Sequence, residues 1–311
     1  MSDIKFREKV LLGKTEAVYG VEESLDGSAD AVLTRDLQLQ PSKGDTEERR
    51  YDNGGLGHGV LQKTASHIGM TFKTDFAPSG AAGTAPAWGF LLKACGFDET
   101  IVADTSVTYA FANSADSLTL AYQNARNLHP GIGARGSMKL DLSAKKFPFL
   151  DFAMDALRVA PSDTAFPTID QSAWNDPVAV NFANTTVAQL HGYDVCIPSC
   201  VIDCGNQYPV INVPGCNLVD ITGRAPTANI TILEPGIAEK DFYAIEESGA
   251  LGNFQFTHGA GAGNVLKAQS AALTQITNLQ ITEFEGRTAL TATLRFVDGD
   301  DGQSDFQLVN E

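Results

Sequence analysis

The sequence is short of basic residues, of long apolar runs and of cysteine. Its 311 residues include 22 Lys and Arg against 38 Asp and Glu, giving a net charge of −16 at pH 7. Such a balance disfavours tight binding to nucleic acid, which requires many cationic contacts to phosphate. No apolar stretch approaches the roughly 18 residues of a membrane-spanning helix, and the charged opening segment carries no secretory signal. We therefore expect a chain that is made in the cytosol and does not enter a membrane.

The five cysteines are odd in number and too few for a disulfide framework. Cys196, Cys200 and Cys204 follow one another at intervals of four residues, and Cys216 lies further along the chain. Zinc sites instead use close cysteine pairs backed by a second pair. The spacing favours small buried hydrophobic residues over metal ligands.

Patterns typical of catalysis and of phosphate binding are also missing. The glycine-rich stretch "HGAGAGNVLK" at 258–267 lacks both the P-loop and the dinucleotide-binding spacing, so it predicts a hairpin loop. The histidines occur singly, and no G-x-S-x-G motif accompanies the serines. We expect neither an enzyme nor a bound cofactor.

Alternation of apolar and polar residues is what the sequence has in abundance. It runs through residues 32–40, 69–76, 136–143, 150–157 and 288–298, and it predicts a mainly β fold. Against this background "PAWGFLLKACG" at 86–96 predicts one short helix packed on a sheet. Its apolar face consists of Trp88, Leu91, Leu92 and Cys95.

Two segments interrupt the strands. Residues 41–59 are rich in charge and glycine, and they predict either a mobile surface loop or an arm that orders against a partner. Residues 166–180, with two prolines and no periodicity, predict a linker. The chain thus divides into a first domain at 1–165 and a second at 181–311.

The order of predicted elements repeats along the chain. The first half has a strand at 67–76, a helix at 85–95 and a closing hairpin at 136–159. A strand at 227–233, a helix at 236–247 and a hairpin at 273–297 follow in the same order. This favours a tandem duplication of one β-rich domain. The alternative is that the second half is an accessory domain.

Several sequence segments of the first half resemble those of a known family. "REKVLLGKTEAVYG", "AVLTRDLQLQPSKGDTEERRY", "GTAPAWGFLLKACGF" and "HPGIGARGSMKLDLSAKKFPFLDFAMDALRVAP" stand in that order. They resemble the major tail tube proteins of long-tailed, non-contractile (siphovirus-like) bacteriophages and prophages. The resemblance covers roughly residues 5–170, and "GTAPAWGFLLKACGF" is its most specific part. The second half resembles this family in the order of its predicted elements more than in its residues.

The resemblance implies β-sandwich or barrel tube domains with short flanking helices, stacked in rings of six domains around a channel. With two such domains per chain, three copies would build a ring, which we favour over six. The expected partners are copies of the chain itself and the tape-measure, tail terminator and distal tail proteins. DNA would pass through an acidic lumen without specific binding. The expected location is the virion tail, after assembly in the host cytoplasm.

The resemblance also implies two sets of candidate residues. An inter-ring contact would use Glu47, Glu48, Arg49, Arg50 and Tyr51. Polar strand positions that could face the lumen, or equally an ordinary solvated outer surface, are Asp36, Gln38, Gln40, Asp141 and Asp151. The rival interpretation is a soluble β-rich binding or adhesin-like module, which would need an aromatic-lined site although the chain has only two tryptophans.

Overall fold

Strands of two stacked sheets make up most of the protein. The computed structural model describes residues 5–52, 54, 56–270, 273–298 and 305–311. The first half contributes β1 (Lys9–Thr15), β2 (Ala31–Val32), β3 (Arg35–Lys43), β4 (Thr46–Arg49), β5 (Val60–Lys63), β6 (His67–Asp75), α1 (Gly89–Lys93), β7 (Phe97–Val102), β8 (Ser106–Phe111), β9 (Leu118–Asn124), β10 (Asn127–Asp141), β11 (Phe149–Arg158) and β12 (Ser162–Asp163). The second half contributes β13 (Thr185–Leu190), β14 (Tyr193–Asp194), β15 (Ser199–Asp203), β16 (Val210–Val213), β17 (Cys216–Val219), β18 (Thr227–Leu233), α2 (Phe242–Ser248), β19 (Leu251–Gly252), β20 (Phe254–Gly259), β21 (Val265–Ser270), β22 (Leu273–Phe284), β23 (Arg287–Val297) and β24 (Phe306–Asn310). The predicted mainly β class is confirmed.

The larger sheet is antiparallel and has 13 strands. Its path runs β19-β22-β23-β18-β15-β10-β11-β6-β3, and β1, β2, β9 and β12 attach beside the first part of β10. The order contains one arrangement twice, β22-β23-β18-β15 and then β10-β11-β6-β3. We call the latter four strands the first unit and the former four the second unit.

The smaller sheet has seven strands in the order β14-β13-β20-β21-β24-β8-β7. It covers the apolar face of the larger sheet, as in the contact between Phe254 on β20 and Phe296 on β23, whose ring centroids lie 6.1 Å apart. One continuous core cluster contains residues of both halves. Both sheets therefore cross the boundary between 1–165 and 181–311.

Buried side chains match between the two units. On β11 and on β23 every second residue points into the core, as alternation in a strand requires. The matched positions are Leu150, Phe152, Met154 and Ala156 on β11 and Leu290, Ala292, Leu294 and Phe296 on β23. This correspondence supplies a common register for comparing the units.

The helix predicted at 85–95 is present but shorter, because turns flank it on both sides. Gly89 N donates to Pro86 O at 2.9 Å before the helix, and Cys95 N donates to Leu92 O at 2.8 Å after it. All four residues of the predicted apolar face are buried. Its role as a packing element is confirmed.

The helix predicted at 236–247 begins later, because Asp241 caps it. The Asp241 carboxylate accepts a hydrogen bond from Ala244 N at 2.9 Å, and Gly249 ends the helix in the left-handed region at φ +62°. Residues before Asp241 form turns instead.

The segment 166–180 has no helix or strand, and it packs on the first half of the chain. Trp174 Nε1 donates to Ala31 O at 3.1 Å, and Gln171 Nε2 donates to Val32 O at 2.9 Å. These contacts hold the connection against β2.

Candidate assembly surfaces

The two units join within the chain through antiparallel pairing of β10 with β15, which we call the seam. Leu140 lies opposite Ile202, and both side chains are fully buried. Lys139 lies opposite Asp203, and its Nζ is 2.8 Å from Asp203 Oδ2 on the polar side of the sheet. The seam therefore combines an apolar pair on one face with an ion pair on the other.

One end of the larger sheet is the outer edge of β3. This strand pairs only with β6 among the described strands. Leu39 is partly buried against the core, and the polar side chains around it are exposed. Pro41 also lies in β3, where a residue without an N–H is tolerated because the strand is at an edge.

The other end of the larger sheet is the outer edge of β22, which is covered only in part. β19 pairs with Thr274 and Gln275, and Glu246 Oε1 of α2 accepts a hydrogen bond from Leu279 N at 2.9 Å. Beyond that point, residues 280–284 pair only with β23 among the described strands. Ile281 is 66% exposed there, although it lies opposite the buried Leu290.

The edge of β3 corresponds to the seam strand β15. In the first unit Leu39 pairs with Met70, which pairs with Met154 on β11. In the second unit Ile202 pairs with Ala228, which pairs with the matched Leu294 on β23. Leu39 thus occupies in the first unit the place that Ile202 occupies in the second.

The edge of β22 corresponds in the same way to the seam strand β10. Ile281 pairs with Leu290, as Leu140 pairs with the matched Leu150. Since Leu140 and Ile202 face each other across the seam, Ile281 and Leu39 are the residues that the same pairing would bring together between two copies. The β3 and β22 edges therefore correspond to the two strands that pair with each other at the seam.

The residues proposed for the lumen lie together on one face of the larger sheet, which we call the polar face. Asp36, Gln38 and Gln40 are on β3, and Asp141 and Asp151 are on β10 and β11. Asp36 stands at a bulge with φ +53°, which turns its carboxylate outward. The structure thus brings all five onto a common surface.

Charges alternate along one row of the polar face. Asp151 lies in register between Lys139 and Lys73, and Lys73 Nζ is 3.0 Å from Asp36 Oδ2. With Asp203 on the far side of Lys139, the row runs acid, base, acid, base, acid. Burial raises the pKa of Asp151, an effect that the two lysines oppose, and the hydrogen bond to Asp36 raises the pKa of Lys73. The first unit, together with Asp203 across the seam, therefore presents interleaved charge, not a uniformly acidic surface.

The polar face of the second unit is mostly uncharged. Thr293 Oγ1 donates to Asn229 Oδ1 at 3.2 Å, and the hydroxyls of Thr231 and Thr291 are 3.5 Å apart. Arg295 is exposed on this face, and no ion pair reaches it among residues 5–52, 54, 56–270, 273–298 and 305–311.

The charged segment 41–59 was predicted to be a mobile surface loop or an arm that orders against a partner, and part of it, residues 41–43 and 46–49, forms strands. β3 extends to Lys43, and β4 pairs with β5 to form a hairpin over 46–63 that we call the arm. Four cross-strand pairs bring together two short runs that are separated in the sequence by ten glycine-rich residues, 50–59, so local alternation could not reveal them. All eight strand residues of the arm are exposed.

The residues predicted for an inter-ring contact lie on this arm. Glu47, Glu48 and Arg49 belong to β4, and Arg50 and Tyr51 follow it. Glu48 Oε1 accepts a hydrogen bond from Gly59 N at 2.5 Å, and Arg49 Nη2 donates to Tyr51 Oη at 3.0 Å. Tyr51 is 68% exposed.

A second hairpin, β16–β17 at 210–219, occupies the same place in the second unit, between β15 and β18, as the arm occupies between β3 and β6. Unlike the arm, it packs on its own chain. Val219 is fully buried, its N donates to Tyr19 Oη at 2.6 Å, and its O accepts from Arg135 Nη1 at 3.2 Å. Sequence reasoning missed this hairpin, although the Pro214-Gly215 turn between two valine-bearing runs was a usable signal.

Cysteine burial agrees with a packing role at two of the four clustered positions. Cys200 and Cys204 are fully buried, Cys216 is partly buried and Cys196 is exposed. Burial raises the pKa of Cys200 to about 12. Among the described residues, no group of three or more His, Cys, Asp or Glu side chains is placed to hold a metal ion.

A scan against models of known protein families finds none that matches this chain. A search of curated proteins likewise finds no matching protein. Within the described residues the helices are α1 and α2, of five and seven residues, and neither has the length or apolar character that crossing a bilayer requires.

Proposed function

We propose that this chain is a structural subunit that polymerises into the hollow tail tube of a phage-like particle. The observation that carries the proposal is the pair of complementary edges on β3 and β22. Each is the counterpart of a strand that already pairs inside the chain, so the seam is a template for a contact between copies. An unpaired edge is a ready site for strand addition.

The contact would be heterologous, because the β3 edge of one copy meets the β22 edge of the next. Such a contact builds a closed ring when the rotation per copy completes a circle. Joining the larger sheets in this way pairs the β3 and β22 edges of every copy and would produce a barrel. Since each chain supplies two units, three copies would form a ring of six units; six chains remain the alternative if the halves are not equivalent.

The polar face is the surface that we propose for the channel. The interleaved charges of the first unit and the hydroxyls of the second offer no cluster of unpaired cations to a passing polyanion, so DNA would move without specific binding. This interleaved charge differs from the acidic lumen that the resemblance implies. The tape-measure, terminator and distal tail proteins would be the remaining partners, in the virion tail.

The rival binding-module function has less support, since neither tryptophan offers an open aromatic platform. Trp88 is 1% exposed, and Trp174 is partly buried with its Nε1 bonded to Ala31 O. A carbohydrate-binding or adhesin-like site would have to use other aromatics.

Electron microscopy of the concentrated protein, with and without Ile281→Asp, tests the proposal. Wild-type protein is expected to form hollow tubes with threefold-modulated rings, and Ile281→Asp is expected to remain a folded monomer. The matched control is Ile237→Asp, because Ile237 is similarly exposed, at 63%, but lies outside both edges. Monomeric wild-type protein at every concentration, or tubes from Ile281→Asp, would overturn the proposal. Rings of six whole subunits would keep the function and remove the duplication.

A further inference from the structure

We propose that the arm of each copy packs on the second unit of the neighbouring copy in the same ring, with Glu47 or Glu48 against Arg295. Because Arg295 lies near the end of β23, this contact covers only the rim of the proposed channel and leaves the rest of the polar face open. This inference rests on the proposed function. It differs from the inter-ring contact that the resemblance implied for the same residues.

The second hairpin supplies the template for this contact. It follows β15, the strand that pairs with the first unit at the seam, and it then reaches across to that unit. The segment leading into it places Tyr208 and Pro209 beside His67 and Asp155, where they line a shallow pocket at the end of the first unit. A hairpin that follows an edge strand thus packs on the unit to which that edge is joined.

The arm follows β3 as the second hairpin follows β15. In the ring proposed above, β3 is joined to β22 of the neighbouring copy. The same rule therefore carries the arm onto the neighbouring copy's second unit. It also agrees with the exposure of all eight strand residues of the arm.

The register of the two units identifies the receiving residue. Asp155 follows Met154 on β11, and Arg295 follows the matched Leu294 on β23, so both stand at the same place on the polar face. Asp155 is satisfied within its unit, because Lys43 Nζ lies 2.8 Å from its Oδ2. Arg295 is exposed, and among the described residues no carboxylate pairs with it. The carboxylates of Glu47 and Glu48 supply the complementary charge.

Strand direction separates this contact from one between rings. The arm leaves the larger sheet where β6 begins, and His67 there lies opposite Leu157, which corresponds to Val297. Arg295 is therefore at the same end of the sheet as the arm. Arg287, at the beginning of β23, is at the opposite end, which would face the arm of a stacked ring.

Carbodiimide crosslinking of assembled protein tests the inference. A carbodiimide condenses a carboxylate with an amine and removes the elements of water, so an Arg295→Lys variant makes the proposed pair reactive. Isotope-labelled and unlabelled subunits are mixed, assembled and crosslinked, and the joined peptides are identified by mass spectrometry. We expect a peptide that joins residue 47 or 48 of one copy to position 295 of another, and its loss in a Glu47→Gln, Glu48→Gln background.

Arg287→Lys is the matched control, because it introduces the same amine at an exposed position on the same strand. A crosslink from the arm to position 287 and none to position 295 would place the arm on the next ring and overturn the inference. Assemblies with neither crosslink, or with a link to position 295 only within one copy, would also overturn it. Tubes visible by electron microscopy without the expected link would leave the proposed function standing. If no assembly forms, both fall.

Discussion

The two units of the larger sheet share a strand order and a buried register but differ in what they present to the outside. The first unit carries a row of alternating charge and an extended arm, whereas the second carries hydroxyl groups and a hairpin folded back on the chain. Where the units meet, at the seam, their edges are buried; where they end, the corresponding edges are exposed. The core is thus common to both units, and the differences lie at surfaces that a second copy could reach.

The largest expected effect comes from placing the same charge at the seam and at its exposed counterpart. Ile202→Asp buries an unpaired carboxylate in the seam, and we expect it to cost more than about 4 kcal/mol in the free energy of unfolding. Ile281→Asp is expected to leave that free energy nearly unchanged, because the side chain is exposed. Chemical denaturation of both variants is the measurement, and a similar loss in each would contradict the comparison of seam and edge.

The helices of the two halves offer the next comparison. Trp88 beside α1 is buried at 1% exposure, contacts Phe76 and Tyr109, and donates from Nε1 to Ala77 O at 2.8 Å. We expect Trp88→Ala to cost about 3–5 kcal/mol, since it leaves both a cavity and an unpaired carbonyl.

Phe242→Ala in α2 is the companion measurement. Phe242 is buried too, but it has no polar group to pair, and its helix is otherwise half exposed. We therefore expect Phe242→Ala to lower the free energy of unfolding by an amount at the lower end of the range given for Trp88→Ala. A larger loss of thermal stability in Phe242→Ala than in Trp88→Ala would show that α2, not α1, is the more important packing element.

Alternation in the sequence predicted individual strands well and sheet order poorly. The strand predicted at 67–76 and the hairpin at 273–297 match β6, β22 and β23 closely, because side chains that alternate between core and solvent leave a local record. The joining of β8 to β24 and of β10 to β15 left no such record, since those pairs are distant in sequence.

The candidate site was predicted as residues but not as an arrangement. The polar positions Asp36 and Asp151 were identified, yet their separation by Lys73 in a row depends on register across three strands. The arm was recognised by its charge, whereas its counterpart at 210–219 was missed because it has no charged residue. Amino-acid composition indicates a surface segment only where, as in the arm, charged residues are concentrated.

Histidine burial in both halves predicts a loss of stability in mild acid. Burial lowers the pKa of one group of residues, namely His67, His129, His191 and His258. Their unfolded pKa is about 6.5, so below that pH the unfolded state binds protons that the folded state binds less readily. The stabilisation that the neutral histidines provide is therefore complete above about pH 6.5. It is lost as the pH falls through their lowered pKa values in the folded state.

Denaturation at pH 7.5 and at pH 5.5 measures this effect. Replacing His258 by Asn should reduce the difference between the two pH values, whereas His58→Gln should not, because His58 is fully exposed. The comparison stays above pH 5, since burial raises the pKa of Asp75 and Asp151, and their protonation acts in the opposite direction. A stability that rises on acidification to pH 5.5 would contradict the argument.

The smallest expected effect separates the two helices by their caps. In α2 the Asp241 carboxylate accepts a hydrogen bond from Ala244 N, whereas α1, with Trp88 at its N-cap position, has no side-chain cap and is held by packing. Asp241→Ala should therefore cost about 1 kcal/mol, and Asp241→Asn, which can still accept the hydrogen bond, should cost less. Equal losses in the two variants would mean that the carboxylate acts through its charge and not through the cap.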